Sequence, residues 1–178
     1  MKQFIRVLLA AACMLTLSAC GGEIEATVEP FPDFIGADFG GTEITNEIFG
    51  AYDATVVNFW SNGCGSCITE MPELEEYYQQ FKDQKINLIA VAVSAGDSEE
   101  ERARAESILR EKGVTYCNVI PDPESDFYKK FIGDIAGYPT TYIVDSEGNI
   151  IGAPVVGVVK PQEETLMKRL ELAGNRQP

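Results

Sequence analysis

The sequence contains no histidine. That absence removes Ser-His-Asp and Cys-His catalysis, His-ligated zinc or copper, and haem attachment through C-x-x-C-H. Proton chemistry is left to Cys, Asp, Glu, Lys, Tyr and water. Basic residues are also scarce: 14 Lys and Arg stand against 28 Asp and Glu, for a net charge of −14. Such a surface repels phosphates, and no Lys/Arg cluster offers a contrary patch, so no nucleic-acid partner is expected. The chain has neither an internal repeat nor a second linker. Its 178 residues, 45% hydrophobic and 24% charged, suffice for one domain with a proper core.

The N-terminus reads as a leader. Lys2 and Arg6 precede an apolar run from Val7 to Leu17 that is broken only by Cys13 and Thr16. Small residues follow in Leu17-Ser18-Ala19-Cys20-Gly21. Basic, apolar, then small is the order of a secretory signal, and the run is too short for a comfortable membrane span. Leu-Ser-Ala-Cys-Gly also resembles the bacterial lipobox. That resemblance implies cleavage before Cys20 and lipid attachment to its sulfur; plain secretion with a free Cys20 is the alternative. Each acyl methylene buried in the bilayer would contribute about 0.8 kcal/mol of anchoring. The expected organisation is a signal over 1–19, a lipidated flexible tether over 20–30, and one domain over 31–178. Its expected place is the extracytoplasmic face of a bacterial membrane.

Within the domain, Ala54 to Trp60 is an apolar, β-branched run suited to a buried strand. A Gly-rich turn over 61–66 follows, then a helix predicted over 67–82 with Pro72 expected to kink it. Asn87 to Val93 reads as a second buried strand. Ser98 to Lys112 reads as an amphipathic helix stopped by Gly113, and Thr115 to Ile120 as a shorter strand. A short helix is predicted over 126–131. Strands over 140–144 and 150–156 flank a turn at 145–149, and a helix over 160–172 closes the chain. Strands alternating with helices, then a hairpin and a helix, give an α/β fold with a mixed sheet.

Trp60-Ser-Asn-Gly-Cys64-Gly-Ser-Cys67 lies where the first strand hands over to a helix. Cys64 falls at the helix entry, where unpaired N–H groups favour an anion. Cys67 comes almost one turn later on the same side. Two sulfurs so placed can close a disulfide. The first can act as an exposed nucleophile, and the second can then release a mixed disulfide. Zinc needs four ligands, and beyond this pair the domain has only Cys117. A merely structural bridge over so short a loop removes little unfolded-chain entropy. Cys117 itself reads as a small buried hydrophobe on a strand, with a redox or partner-linking role as the alternative.

Val57-Asn58-Phe59-Trp60, the C-x-x-C, Glu70-Met71-Pro72 and Gly137-Tyr138-Pro139-Thr140 together resemble thioredoxin-like proteins of the TlpA/ResA class, over about residues 31 to 172. The resemblance implies a thioredoxin-like fold: a central mixed β-sheet flanked by helices, with a TlpA-type insertion between Ala95 and Tyr128. It implies Cys64 as attacking thiol, Cys67 as resolving thiol, Pro139 as a cis proline facing the sulfurs, and Tyr138 as the residue whose backbone pairs with a bound peptide. Trp60, Gly65 and Ser66 join Tyr138 as expected substrate contacts. Glu70 is implied to be a buried carboxylate that tunes the thiols and moves protons, since Asn58 stands where thioredoxin proper keeps an acid. No cofactor is expected beyond the Cys64–Cys67 disulfide itself, and no metal.

The expected activity is reduction of disulfides on exported proteins, with electrons from a CcdA/DsbD-like membrane protein. Other readings are a disulfide oxidase or isomerase, a peroxiredoxin, and a non-catalytic surface binding lipoprotein. The peroxiredoxin pattern P-x-x-x-[ST]-x-x-C is met at Ser61 but has Val57 in the proline slot. A helix end stabilises an anion by about 0.3–1 kcal/mol, which lowers the Cys64 pKa by about one pH unit or less. The acidic surface opposes even that. A reducing or intermediate potential is therefore expected.

Overall fold

The computed structural model describes residues 28–175. In chain order, β1 is Val28–Pro30, β2 Ile35–Ala37, β3 Glu43–Thr45, β4 Ala54–Trp60, α1 Gly65–Phe81, β5 Ile86–Ala92 and α2 Glu99–Lys112. Then come β6 Cys117–Pro121, β7 Thr140–Asp145, β8 Asn149–Ile151, β9 Val155–Val156 and α3 Glu163–Gly174. The strands form one mixed sheet in the order β1-β8-β7-β4-β5-β6-β2-β3, with β9 pairing β7. β4 is central, parallel to β5 and antiparallel to β7.

Alternation along β4 builds both halves of the core. Val56 and Trp60 face one side and pack with Met71 and Leu74 of α1, Leu109 of α2, and Leu166 and Leu170 of α3. Val57 and Phe59 face the other side and pack with Phe31, Phe34, Phe49 and Phe127. The three α-helices thus cover one face. Short 3₁₀ and π turns over 46–51 and 127–134, with their phenylalanines, cover the other. Burying each large apolar side chain contributes about 1.5–3 kcal/mol.

Several boundaries differ from those expected. The tether expected over 20–30 loses its last three residues to β1, which pairs with β8 through Val28↔Ile151 and Pro30↔Asn149. The remainder of the tether, the signal over 1–19, Cys13 and Cys20 lie outside the described residues. β2 and β3 were not expected: each has only three residues, too few to show a period. The strand expected over 150–156 is split, because Gly152 takes a left-handed φ of +72° between β8 and β9. The short helix of 126–131 is a π turn over Phe127–Phe131. The helix expected from 67 starts at Gly65 and runs through Pro72 to Phe81. Ser98 caps α2 by accepting the Glu101 N–H, and Gly113 ends it at φ +69°.

Candidate active site

β4 delivers the chain to the cysteines. After Trp60 a tight turn closes with the Cys64 N–H donating to the Ser61 carbonyl at 3.0 Å. Cys64 is the N-cap of α1, with extended backbone, and its Sγ accepts the Cys67 N–H at 3.2 Å. The sulfur therefore already sits against one of the unpaired donors of a helix start. The Ser66 hydroxyl lies 3.5 Å from the same sulfur. Cys64 and Cys67 form a disulfide across this first turn, with their Cα atoms 5.3 Å apart. Cys64 is half-buried, whereas Cys67 is 1% exposed. Gly65 and Ser66, between them, are exposed.

Glu70 lies one turn further along α1 and is 2% exposed. Its Oε1 accepts from the Asn58 amide at 3.3 Å, and its Oε2 accepts from the Val159 N–H at 3.0 Å. Asn58 also donates to Thr141 Oγ1 at 2.9 Å, so the carboxyl joins α1, β4, β7 and the approach to α3. Burial pushes the Glu70 pKa up from 4.5 to about 7, against the pull of the Val159 and Asn58 donors. A carboxyl poised there can hold or release a proton at neutral pH.

The Tyr138–Pro139 peptide is cis. Pro139 is buried at the start of β7, and its carbonyl accepts the Gly157 N–H at 2.9 Å. Tyr138 is half-buried and touches the cores on both faces of the sheet. The register pairs Phe59 with Thr140, so this turn borders the end of β4 that leads into the cysteines.

Trp60 is corrected. It is 1% exposed, and its indole N–H donates to Asn118 Oδ1 at 2.9 Å. It sits on the face of β4 that packs against the α-helices, and that burial does not suit the substrate contact expected of it. Cys117, at the start of β6, is half-buried and unbridged. Burial and then the Asp38 charge push its thiol up to about 11. Among the described residues, no group of three or more His, Cys, Asp or Glu is placed to hold a metal ion.

Sequence reasoning missed the Val159 N–H, Thr141, Asn118 and Asn62. The first is a backbone group with no side-chain signal. The next two meet the site only through strand pairing. Asn62 could have been noticed as a polar residue next to the motif, but its partners lie 32 and 39 residues away.

A family model described as "AhpC/TSA family" matches residues 28–153. The protein named thiol-disulfide oxidoreductase ResA from Bacillus thuringiensis (strain Al Hakam) is 25% identical over 142 residues, spanning 78% of this chain and 75% of that protein. ResA from Geobacillus kaustophilus (strain HTA426) is 28% identical over 119 residues, spanning 67% and 63%. Among solved structures, a putative thiol:disulfide interchange protein DsbE from Chlorobium tepidum superposes with a TM-score of 0.68 at 20% identity, covering 82% of this chain and 96% of that one. A thiol:disulfide interchange protein from Bacteroides sp. gives 0.65 at 25% identity, covering 82% and 91%. The fold is thioredoxin-like, with a mixed sheet flanked by helices.

Proposed function

This chain belongs to the AhpC/TSA family, and we propose that it is a thiol–disulfide oxidoreductase that reduces disulfides of exported proteins from the outer face of the cytoplasmic membrane. One observation carries the reading: Cys64, half-exposed at the cap of α1, is paired with Cys67, buried directly behind it. In the dithiol form, the Cys64 thiolate attacks one sulfur of a substrate disulfide. That S–S bond breaks, a mixed disulfide forms, and one substrate thiolate leaves and takes up a proton. Cys67 then gives up its proton and attacks Cys64 Sγ. The mixed disulfide breaks, the Cys64–Cys67 bond forms, and the second substrate thiol leaves. Two electrons pass from the protein to the substrate.

Glu70 supports the second attack. Near pH 7 a substantial share of it is ionised and can take the Cys67 proton, which buried Cys67 cannot hand directly to water. No histidine is available to favour the Cys64 thiolate, which argues for a reducing or intermediate potential. The leader and Cys20 support export and lipid anchoring, and a membrane dithiol donor of CcdA/DsbD kind fits the need to re-reduce an extracytoplasmic disulfide. The half-exposed cap with its flanking Gly65 and Ser66 suits a protein substrate.

Insulin reduction tests the chemistry. The wild type accelerates it, and Cys64→Ser abolishes it. In cells, Cys67→Ala accumulates mixed disulfides whose partners mass spectrometry identifies. A wild type that leaves insulin untouched, or a potential as oxidising as about −120 mV, would overturn the reductase reading.

A further inference from the structure

Glu101 lies in the first turn of α2, after β5, and it holds the cysteine turn from outside. The residue it grips is Asn62, two positions before Cys64. Asn62 is 3% exposed, and its Nδ2 donates to the Glu101 carbonyl at 2.8 Å and to the Glu101 carboxylate Oε2 at 2.6 Å. Its backbone N–H donates to Ser94 Oγ at 3.0 Å. Its Oδ1 has no protein partner. The amide orientation is therefore set by Glu101 alone, since turning it over would put oxygen against two acceptors. The main chain of Glu101 is itself fixed, because its N–H donates to the capping hydroxyl of Ser98 at 3.1 Å.

We propose that Glu101 is a positioning residue for the Cys64 sulfur, acting through Asn62. This rests on the reading that Cys64 and Cys67 exchange disulfides. In the oxidised form the S–S bond closes the first turn of α1 and keeps Cys64 at the cap whatever the preceding turn does. In the dithiol form that bond is gone. Only hydrogen bonds then keep the turn over 61–64 in place and the Cys64 sulfur on the Cys67 N–H. The grip of Glu101 acts mainly on the dithiol state, so it stabilises that state and its thiolate over the disulfide. Its loss makes the couple more reducing and the thiol less reactive.

The test uses the purified protein and its glutathione equilibrium. Glu101→Ala is expected to shift the Cys64–Cys67 equilibrium towards the disulfide by about three- to tenfold, tenfold being about 30 mV. Alkylation of Cys64 in the reduced protein at pH 7 falls by a similar factor. Glu101→Gln keeps an oxygen acceptor and restores both. Glu111→Ala, exposed on the same helix, changes neither. Ser94→Ala, which leaves the α2 cap intact, repeats the direction of Glu101→Ala from the other anchor. Unchanged equilibrium and alkylation in Glu101→Ala would overturn the proposal, as would a Glu101→Gln variant no better than Glu101→Ala. A wild type with no titratable couple would overturn the oxidoreductase reading and this one with it.

Discussion

Replacing Glu70 with Gln should change how stability depends on pH. In the unfolded chain this carboxyl gives up its proton near 4.5; in the folded protein burial holds the proton up to about 7. Between those values the folded state binds more protons than the unfolded state, so the Glu70 contribution to stability falls as pH rises and levels off above 7. At about 1.4 kcal/mol for each tenfold change in proton affinity, the full loss is at most about 3.5 kcal/mol. Gln carries no charge to desolvate and can still accept the Val159 N–H, although its amide must face an Asn58 that has turned over. The assay is urea unfolding of both oxidised proteins between pH 5 and pH 8. The wild type should lose about 2 kcal/mol relative to Glu70→Gln over that range, with most of the change complete by pH 7. Parallel curves would refute the argument. A gap that moved the other way would mean that the Val159 and Asn58 donors outweigh burial and keep the carboxylate ionised.

Other positions give independent checks. Trp60→Phe removes the indole donor and leaves buried Asn118 Oδ1 unpaired, which should cost about 1–3 kcal/mol by urea unfolding. Insulin reduction by the folded variant should stay within about twofold of wild type, since the ring lies under the site; a higher KM at unchanged stability would put the indole back in contact with substrate. Cys117, with its thiol pushed up to about 11, should react with iodoacetamide at pH 8 about 100-fold more slowly than an ordinary exposed thiol. Peptide mass spectrometry of the oxidised protein measures this, and labelling at the ordinary rate would refute the burial argument.

What could be read from the sequence is what is encoded locally. β4 is visible because seven successive residues suit a strand buried on both faces. α2 is visible because Ser98 and Gly113 mark its ends. The cysteine pair is visible because its spacing fits one helical turn. The misses are long-range. Trp60 was expected at the substrate from the family resemblance, yet the pleat turns its ring under the α-helices, where it is 1% exposed. Glu70 could be placed on the Cys67 face of α1, but the Val159 N–H beside it lies 89 residues away and leaves no side-chain trace. The three-residue strands β2 and β3 carry no readable period, and the pairing of β2 with β6 depends on Gly36, where a Cβ would meet Val119 Cγ1 at 2.5 Å.

Family membership leaves two thiol chemistries to be separated, and β4 bears on the choice. The peroxiredoxin pattern needs a proline seven residues before the reactive cysteine, which here is Val57. That residue is 1% exposed, flanked by Ile89 on one neighbouring strand and Tyr142 on the other. A proline in the middle of a central strand would forfeit a ladder hydrogen bond and is essentially confined to edges and bulges. The unbroken ladder carries β4 to Trp60, and the tight turn after it can then set Cys64 on the cap of α1. Cys67 is already bonded to that sulfur across the first turn. A peroxide attacked by the Cys64 thiolate would leave a sulfenic acid there and depart as water or alcohol; Cys67 would then attack that sulfur, breaking its S–O bond and releasing water, to leave the same disulfide that exchange produces. Either oxidant ends in one state, and the burial of Cys67 and Glu70 behind a half-exposed Cys64 orders the return from it: the outer sulfur is the one an incoming dithiol can reach.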